Sequence, residues 1–115
     1  MEHSLEIRKS RNAVLCVRDR VTVYQLPKFK ELLYSVGKRL GDRKCLILDL
    51  SEASYLDPLA LGVIVAFSRT FRERGGDLKI VNANGELGRI FEESRLSKVY
   101  ETYGSAEEAE RSISR

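Results

Sequence analysis

The sequence predicts a mixed α/β domain, one sheet with its helices packed mainly against one side. Three features predict it. A pair of short apolar or alternating runs comes first, two more apolar runs (CLILDL and LKIV) follow, and stripes of helical period lie between and after them. A chain of 115 residues has room for one hydrophobic core, so residues 1–115 are expected to form a single domain.

Leu5 to Lys9 and Ala13 to Val17, separated by Ser10, Arg11 and Asn12, read as a β-hairpin. From Leu26 onward, Leu26, Phe29, Leu32, Leu33, Val36 and Leu40 recur at intervals of three and four, which draws one apolar stripe on a helix ending near Gly41. Thr22 with Gln25 has the spacing of a capping box. Starting the helix there would place Pro27 in its interior at the loss of a hydrogen bond, so a turn at Thr22 and a helix from about Pro27 are favoured. Residues Cys45 to Leu50 are a short apolar run between a helix and a turn-like segment, the pattern of a central strand buried on both faces. Asp57 before Pro58 joins an N-cap carboxylate to a first-position proline, so a second helix starts there and runs to about Arg74, where Gly75 and Gly76 stop it. Leu78 to Val81 is the next strand. Gly85 to Ser94 reads as a third helix, Val99 to Thr102 as a short strand, and Ser105 to Ile113 as an amphipathic helix with Glu108 three residues after its Ser105 cap.

Composition removes several function classes. Twenty Lys and Arg against 17 Asp and Glu leave a formal charge of +3, too small a surplus for the basic stripe of a nucleic-acid binder. The longest apolar run, Leu59 to Phe67, is far short of the roughly 20 residues that cross a bilayer, and the N-terminus has no signal-peptide apolar region. A cytoplasmic location without membrane insertion is expected. Cys16 and Cys45 each lie in an apolar strand-like run, where a cysteine behaves as a small buried hydrophobe; a structural disulfide is disfavoured in a reducing compartment. His3 is the sole histidine and reads as part of a disordered tail, so neither a metal pair nor a histidine-based triad can be assembled. No CxxC or Walker-type glycine loop is present, and no cofactor is called for. Asp49, Glu52 and Asp57 could cluster where the central strand meets the second helix. Their roles as turn and cap carboxylates outweigh general acid/base chemistry, so a small carboxylate enzyme is only a distant alternative.

The most informative stretch is 46–76. It holds Asp49, Leu50 and Ser51 at the end of an apolar strand, then Asp57, Pro58, Leu59, Ala60, Leu61 and Gly62 opening a helix, then Gly75 and Gly76. This spacing resembles the STAS domain family, the bacterial anti-sigma factor antagonists and their relatives, in which an Asp-Ser-Ser-Gly-Leu-Gly motif opens the helix. The tail from Ile80 to Ala109 also resembles that family, so the similarity spans nearly the whole chain. The resemblance implies a four- or five-stranded mixed sheet with helices on one face, and protein binding without catalysis. It further implies that the unphosphorylated form captures an anti-sigma factor that is also a protein kinase, freeing the sigma factor until the kinase phosphorylates the second serine of the motif.

Here Leu59 stands at the phosphoacceptor position and Pro58 at the serine before it. Neither can carry phosphate. Ser51 and Ser54 are the nearby hydroxyls, and a backbone-bonding turn role outweighs phosphorylation for both. The alternatives within binding modules are a subunit of a stress-signalling complex and an accessory subunit of a lipid transporter. Turning the second helix at about 100° per residue puts Leu61, Ile64, Val65 and Ser68 on one arc, and Leu59, Val63, Ala66 and Thr70 on another. The second stripe is expected to be exposed at Leu59 and Val63 and to dock a partner, with weak homodimer formation as its rival use. The expected partner-binding residues are Asp57, Pro58, Leu59, Ala60, Gly62, Val63 and Ala66.

Overall fold

A computed structural model of the chain describes residues 1–7, 12–41, 45–81, 89, 93 and 102–113. Strands β1 (Glu2–Ile7) and β2 (Ala13–Val21) form the expected antiparallel pair, with Leu5 opposite Leu15. His3 belongs to β1, paired with Val17, rather than to a disordered tail: the strand runs almost to the chain start because its backbone is paired along β2. A single 3-10 turn (Val23–Gln25) follows, and helix α1 (Leu26–Leu40) grows directly out of it. Gln25 Oε1 accepts the Thr22 N–H at 2.8 Å, so the capping box closes the small turn while Pro27 stays in the first turn of α1. Gly41, at φ 71°, ends the helix in a conformation that a side chain would disfavour.

Strand β3 (Cys45–Asp49) is buried on both faces as expected. The turn-like segment after it is in fact a strand, β4 (Ala53–Leu56). It pairs in parallel with the far end of β2, beyond a register shift at Asp19, whose φ of 65° bends β2 away from β3. An aspartate tolerates that left-handed backbone better than most side chains. Helix α2 (Pro58–Glu73), β5 (Asp77–Val81), β6 (Thr102–Tyr103) and α3 (Ala106–Ile113) complete the described elements. The predicted third helix over 85–94 lies outside the described residues except Arg89 and Glu93, both helical and exposed. Outside them too are Arg8, Lys9, Ser10 and Arg11 of the hairpin, and residues 99–101 of the short strand.

The sheet has the order β1-β2-β3-β5-β6, parallel throughout except for β1, with β4 attached to β2. Six strands therefore stand where four or five were implied, β4 having been read as loop. Alternation along the strands splits the interior in two. Leu15, Val17, Leu46, Leu48, Leu78 and Ile80 face α1 and α2 and meet Phe29, Leu33, Ile64 and Phe67 there. Val14, Ile47 and Val81 face the other way and are covered by Ala109 of α3 with Tyr103, Ala106 and Ile113 packed around it. Two of the three described helices thus share one side. Ser105 Oγ accepts the Glu108 N–H at 3.2 Å, the cap expected for α3, and Glu108 in turn accepts the Gly104 N–H at 3.0 Å.

Candidate functional site

The loop from β3 to α2 is held by its own carboxylates. Asp49 Oδ1 accepts both the Ser51 N–H at 2.9 Å and the Ser51 hydroxyl at 2.6 Å, an Asx-type turn that sends the chain out of β3. The Ala53 N–H closes on the Leu50 carbonyl at 3.1 Å, and β4 begins. At its end the Asp57 N–H donates to the Val21 carbonyl at 2.9 Å, tying the start of α2 to the end of β2. Asp57 is the N-cap: its Oδ1 accepts the Leu59 N–H at 2.9 Å, and Pro58 fills the first helical position. Glu52 turns elsewhere, accepting the Cys16 thiol at 3.1 Å and pairing with Arg18 Nε at 3.3 Å. Burial first, then the Glu52 hydrogen bond and the charge of Asp49, push the Cys16 thiol up to about 11. It and Cys45 are buried and unbridged, the expected state of both. The three carboxylates thus serve a turn, a thiol and arginine contact, and a helix cap. Among the described residues no group of three or more His, Cys, Asp and Glu is placed to hold a metal ion.

On α2 the two predicted arcs separate. Leu61, Ile64 and Ser68 are buried, with Val65 at the margin. Ala60, Phe67 and Phe71 extend that buried face beyond the predicted arc. Leu59 is 62% exposed, and Pro58, Gly62, Ala66 and Thr70 are exposed with it. Two of the expected partner-binding residues differ. Val63 is half-buried, because its side chain packs against the main core instead of standing clear in solvent. Ala60 is fully buried and supports the surface from below. Ser51 is partly buried with its hydroxyl engaged by Asp49, while Ser54 is exposed on β4.

Leu59, Gly62, Val63 and Ala66 line one side of an open groove of about 270 Å³, and Lys30 and Tyr34 of α1 line the other. Tyr34 also lines a second, smaller cleft, together with Gly37, Lys38, Phe67, Thr70, Phe71 and Arg74. Sequence reasoning assigned α1 only a buried stripe and so missed Lys30 and Tyr34. It also missed Val23 and Tyr24, the latter 90% exposed in the 3-10 turn. Since β2 and β4 run parallel with Val21 opposite Leu56, that turn and the start of α2 leave the sheet side by side. Two apolar residues inside the Thr22–Gln25 capping box were the available signal.

The model of the STAS domain matches residues 4–109. The chain belongs to the STAS domain family. The anti-sigma-B factor antagonist of Listeria monocytogenes is 33% identical over 105 residues, covering 88% of this chain and 89% of that protein. The anti-sigma-B factor antagonist of Bacillus subtilis is 25% identical over 108 residues, covering 93% and 96%. Among solved structures, an anti-sigma factor antagonist from Mycobacterium paratuberculosis superposes with a TM-score of 0.88 at 17% identity over 99% of this chain and 94% of its own. The unphosphorylated antagonist SpoIIAA superposes with 0.80 at 14% identity, covering 99% and 98%. At those identities the structures speak for the STAS fold alone. No described helix of this STAS domain is long and apolar enough to cross a membrane.

Proposed function

We propose that this STAS domain is an anti-sigma factor antagonist: it captures a kinase-type anti-sigma factor through the start of α2 and so releases a sigma factor. The observation that carries the reading is the match to the Listeria antagonist, which extends over 88% of the chain. The surface is suited to the role, because the first turn of α2 is pinned by its cap and by the Asp57–Val21 bond while Pro58 and Leu59 face solvent. A rigid element presenting an exposed apolar side chain pre-pays the ordering cost of docking.

Leu59 stands where the family resemblance puts the phosphoacceptor, and it has no hydroxyl. Binding through this turn is then not switched off by phosphate at residue 59. Ser51 is a poor substitute, since its Oγ already donates to Asp49 at 2.6 Å. The test is to incubate the purified chain with the anti-sigma factor of its own organism and ATP. A stable complex by size-exclusion chromatography, with no phosphate on the chain by intact mass, supports the reading. Absence of a complex overturns the function, and stoichiometric phosphate on Ser51 or Ser54 overturns the unswitched regulation.

A further inference from the structure

Two glycines lie on the α1–α2 layer, and only one is explained by the packing inside the chain. A Cβ on Gly37 would stand 2.8 Å from Phe67 Cε1, so that glycine lets the helices approach. A Cβ on Gly62 would meet nothing within 4 Å among the described residues. Glycine inside a helix is disfavoured relative to alanine, and Gly62 is followed by eleven more helical residues. Nothing in the described chain calls for the open space above it.

Gly62 lines the α2 side of the groove between α1 and α2, and that space faces the groove. Leu59, Val63, Ala66 and Tyr34 make its walls apolar. The charged lining is of one sign, Lys30 in the groove and Lys38 and Arg74 in the smaller cleft beside Tyr34, with no carboxylate among the described lining residues of either. The two helices share this bias. α1 carries Lys28, Lys30, Lys38 and Arg39 against Glu31, and α2 with both its caps carries Arg69, Arg72 and Arg74 against Asp57 and Glu73. That excess is larger than the whole chain's +3, so the rest of the chain is net acidic. We infer that the groove seats an apolar segment of the partner flanked by carboxylates, its closest approach falling over Gly62. This rests on the antagonist reading and names the chemistry of the docking segment. A second copy of the chain fits the groove poorly, since a two-fold interface would set the same cations against one another. A bilayer fits it poorly too, because a flat surface leaves a concave floor uncovered.

The experiment is calorimetric titration of the unmodified chain and its variants with the purified anti-sigma factor of the same organism. Gly62→Leu, which adds a side chain to the α2 side of the groove, should weaken binding by roughly tenfold or more with no fall in thermal midpoint, and Gly62→Ala should act in the same direction. The double variant Lys30→Glu, Lys38→Glu should weaken it by roughly tenfold at about 0.05 M salt, the difference shrinking at about 0.5 M. No binding by the unmodified chain overturns the function and this inference together. Full binding by Gly62→Leu, or by the double variant, overturns this inference alone. Binding of the unmodified chain to phosphatidylserine vesicles that the double variant loses assigns the cations to a membrane and likewise overturns it.

Discussion

Gly37 lies so close to Phe67 that a Cβ there would stand 2.8 Å from the ring. The ring is held between two others. It is buried, stacked on Phe71 with centroids 5.2 Å apart, and met edge-on by Tyr34 at 5.3 Å. Gly37→Ala should therefore destabilise the fold although alanine is the better helix former. Overpacking typically costs about 1–3 kcal/mol, against about 0.5–1 kcal/mol gained from propensity. A lowered urea midpoint in Gly37→Ala, beside an unchanged or raised one in Gly62→Ala, is the expected pair of results. Equal midpoints for the two variants would show that the layer repacks freely.

Asp57 caps α2 through the Leu59 N–H, and its own N–H holds the Val21 carbonyl. Substituting the side chain removes only the first of these bonds. Asp57→Ala should cost about 1 kcal/mol in denaturant unfolding, while Asp57→Ser, which can still cap, should cost less. An unchanged midpoint with partner binding abolished would make Asp57 a direct contact and not a cap.

Cys16 supplies a pH-dependent contribution. Its thiol is pushed up to about 11 from 9.0, chiefly by burial. Between those values the native state holds a proton that the unfolded chain has released. The contribution is complete below the unfolded value and is lost as pH rises through the folded one. Stability should accordingly fall more steeply above about pH 9 in the unmodified protein than in Cys16→Ala, measured by urea midpoints across the window. In a Cys45→Ala background the native thiol should react slowly with iodoacetamide near about pH 8, and Glu52→Gln should speed the reaction by removing the negative charge beside the thiol.

What was legible in the sequence was what local patterning determines. The apolar stripe of α1, the Asp57–Pro58 start of α2, the buried run of β3 and the Ser105 cap all depend on residues a few positions apart. The strand β4 was not legible, because ASYL is short and its partner is the bent end of β2, 34 to 35 residues away and reached only through the left-handed Asp19. Nor could periodicity tell Val63 from Leu59. Both lie on one stripe of α2, but Val63 leans onto the core while Leu59, in the first turn, is 62% exposed. The groove itself needed α1 placed beside α2, since Lys30 and Tyr34 join the site only through tertiary packing.

Val63 and Leu59 should part company under substitution for the same reason. Val63→Asp puts a carboxylate against the core and should destabilise the fold by about 1–3 kcal/mol, whereas Leu59→Asp should stay within about 0.5 kcal/mol of the unmodified protein. Thermal midpoints of the two variants check this. A stable Val63→Asp would place its side chain in solvent after all.

Leu59→Ser asks whether the missing hydroxyl is what separates this STAS domain from a switched one. Residue 59 is exposed, so losing its apolar atoms should leave stability within about 0.5 kcal/mol. It also lies in the first turn of α2, where the unpaired backbone N–H groups favour an anion, although the Asp57 carboxylate already occupies part of that field. On the antagonist reading, the variant incubated with the anti-sigma factor and ATP should gain one phosphate, seen by intact mass and mapped to residue 59, and should then lose its partner. The phosphate adds about two negative charges and a bulky group to the docking turn. A folded Leu59→Ser that binds the anti-sigma factor but takes no phosphate would mean that Pro58, whose ring fixes the backbone just before the acceptor, also blocks the kinase. Pro58→Ser combined with Leu59→Ser should then restore phosphorylation; failure of the double variant as well would remove residue 59 as a phosphoacceptor position in this chain.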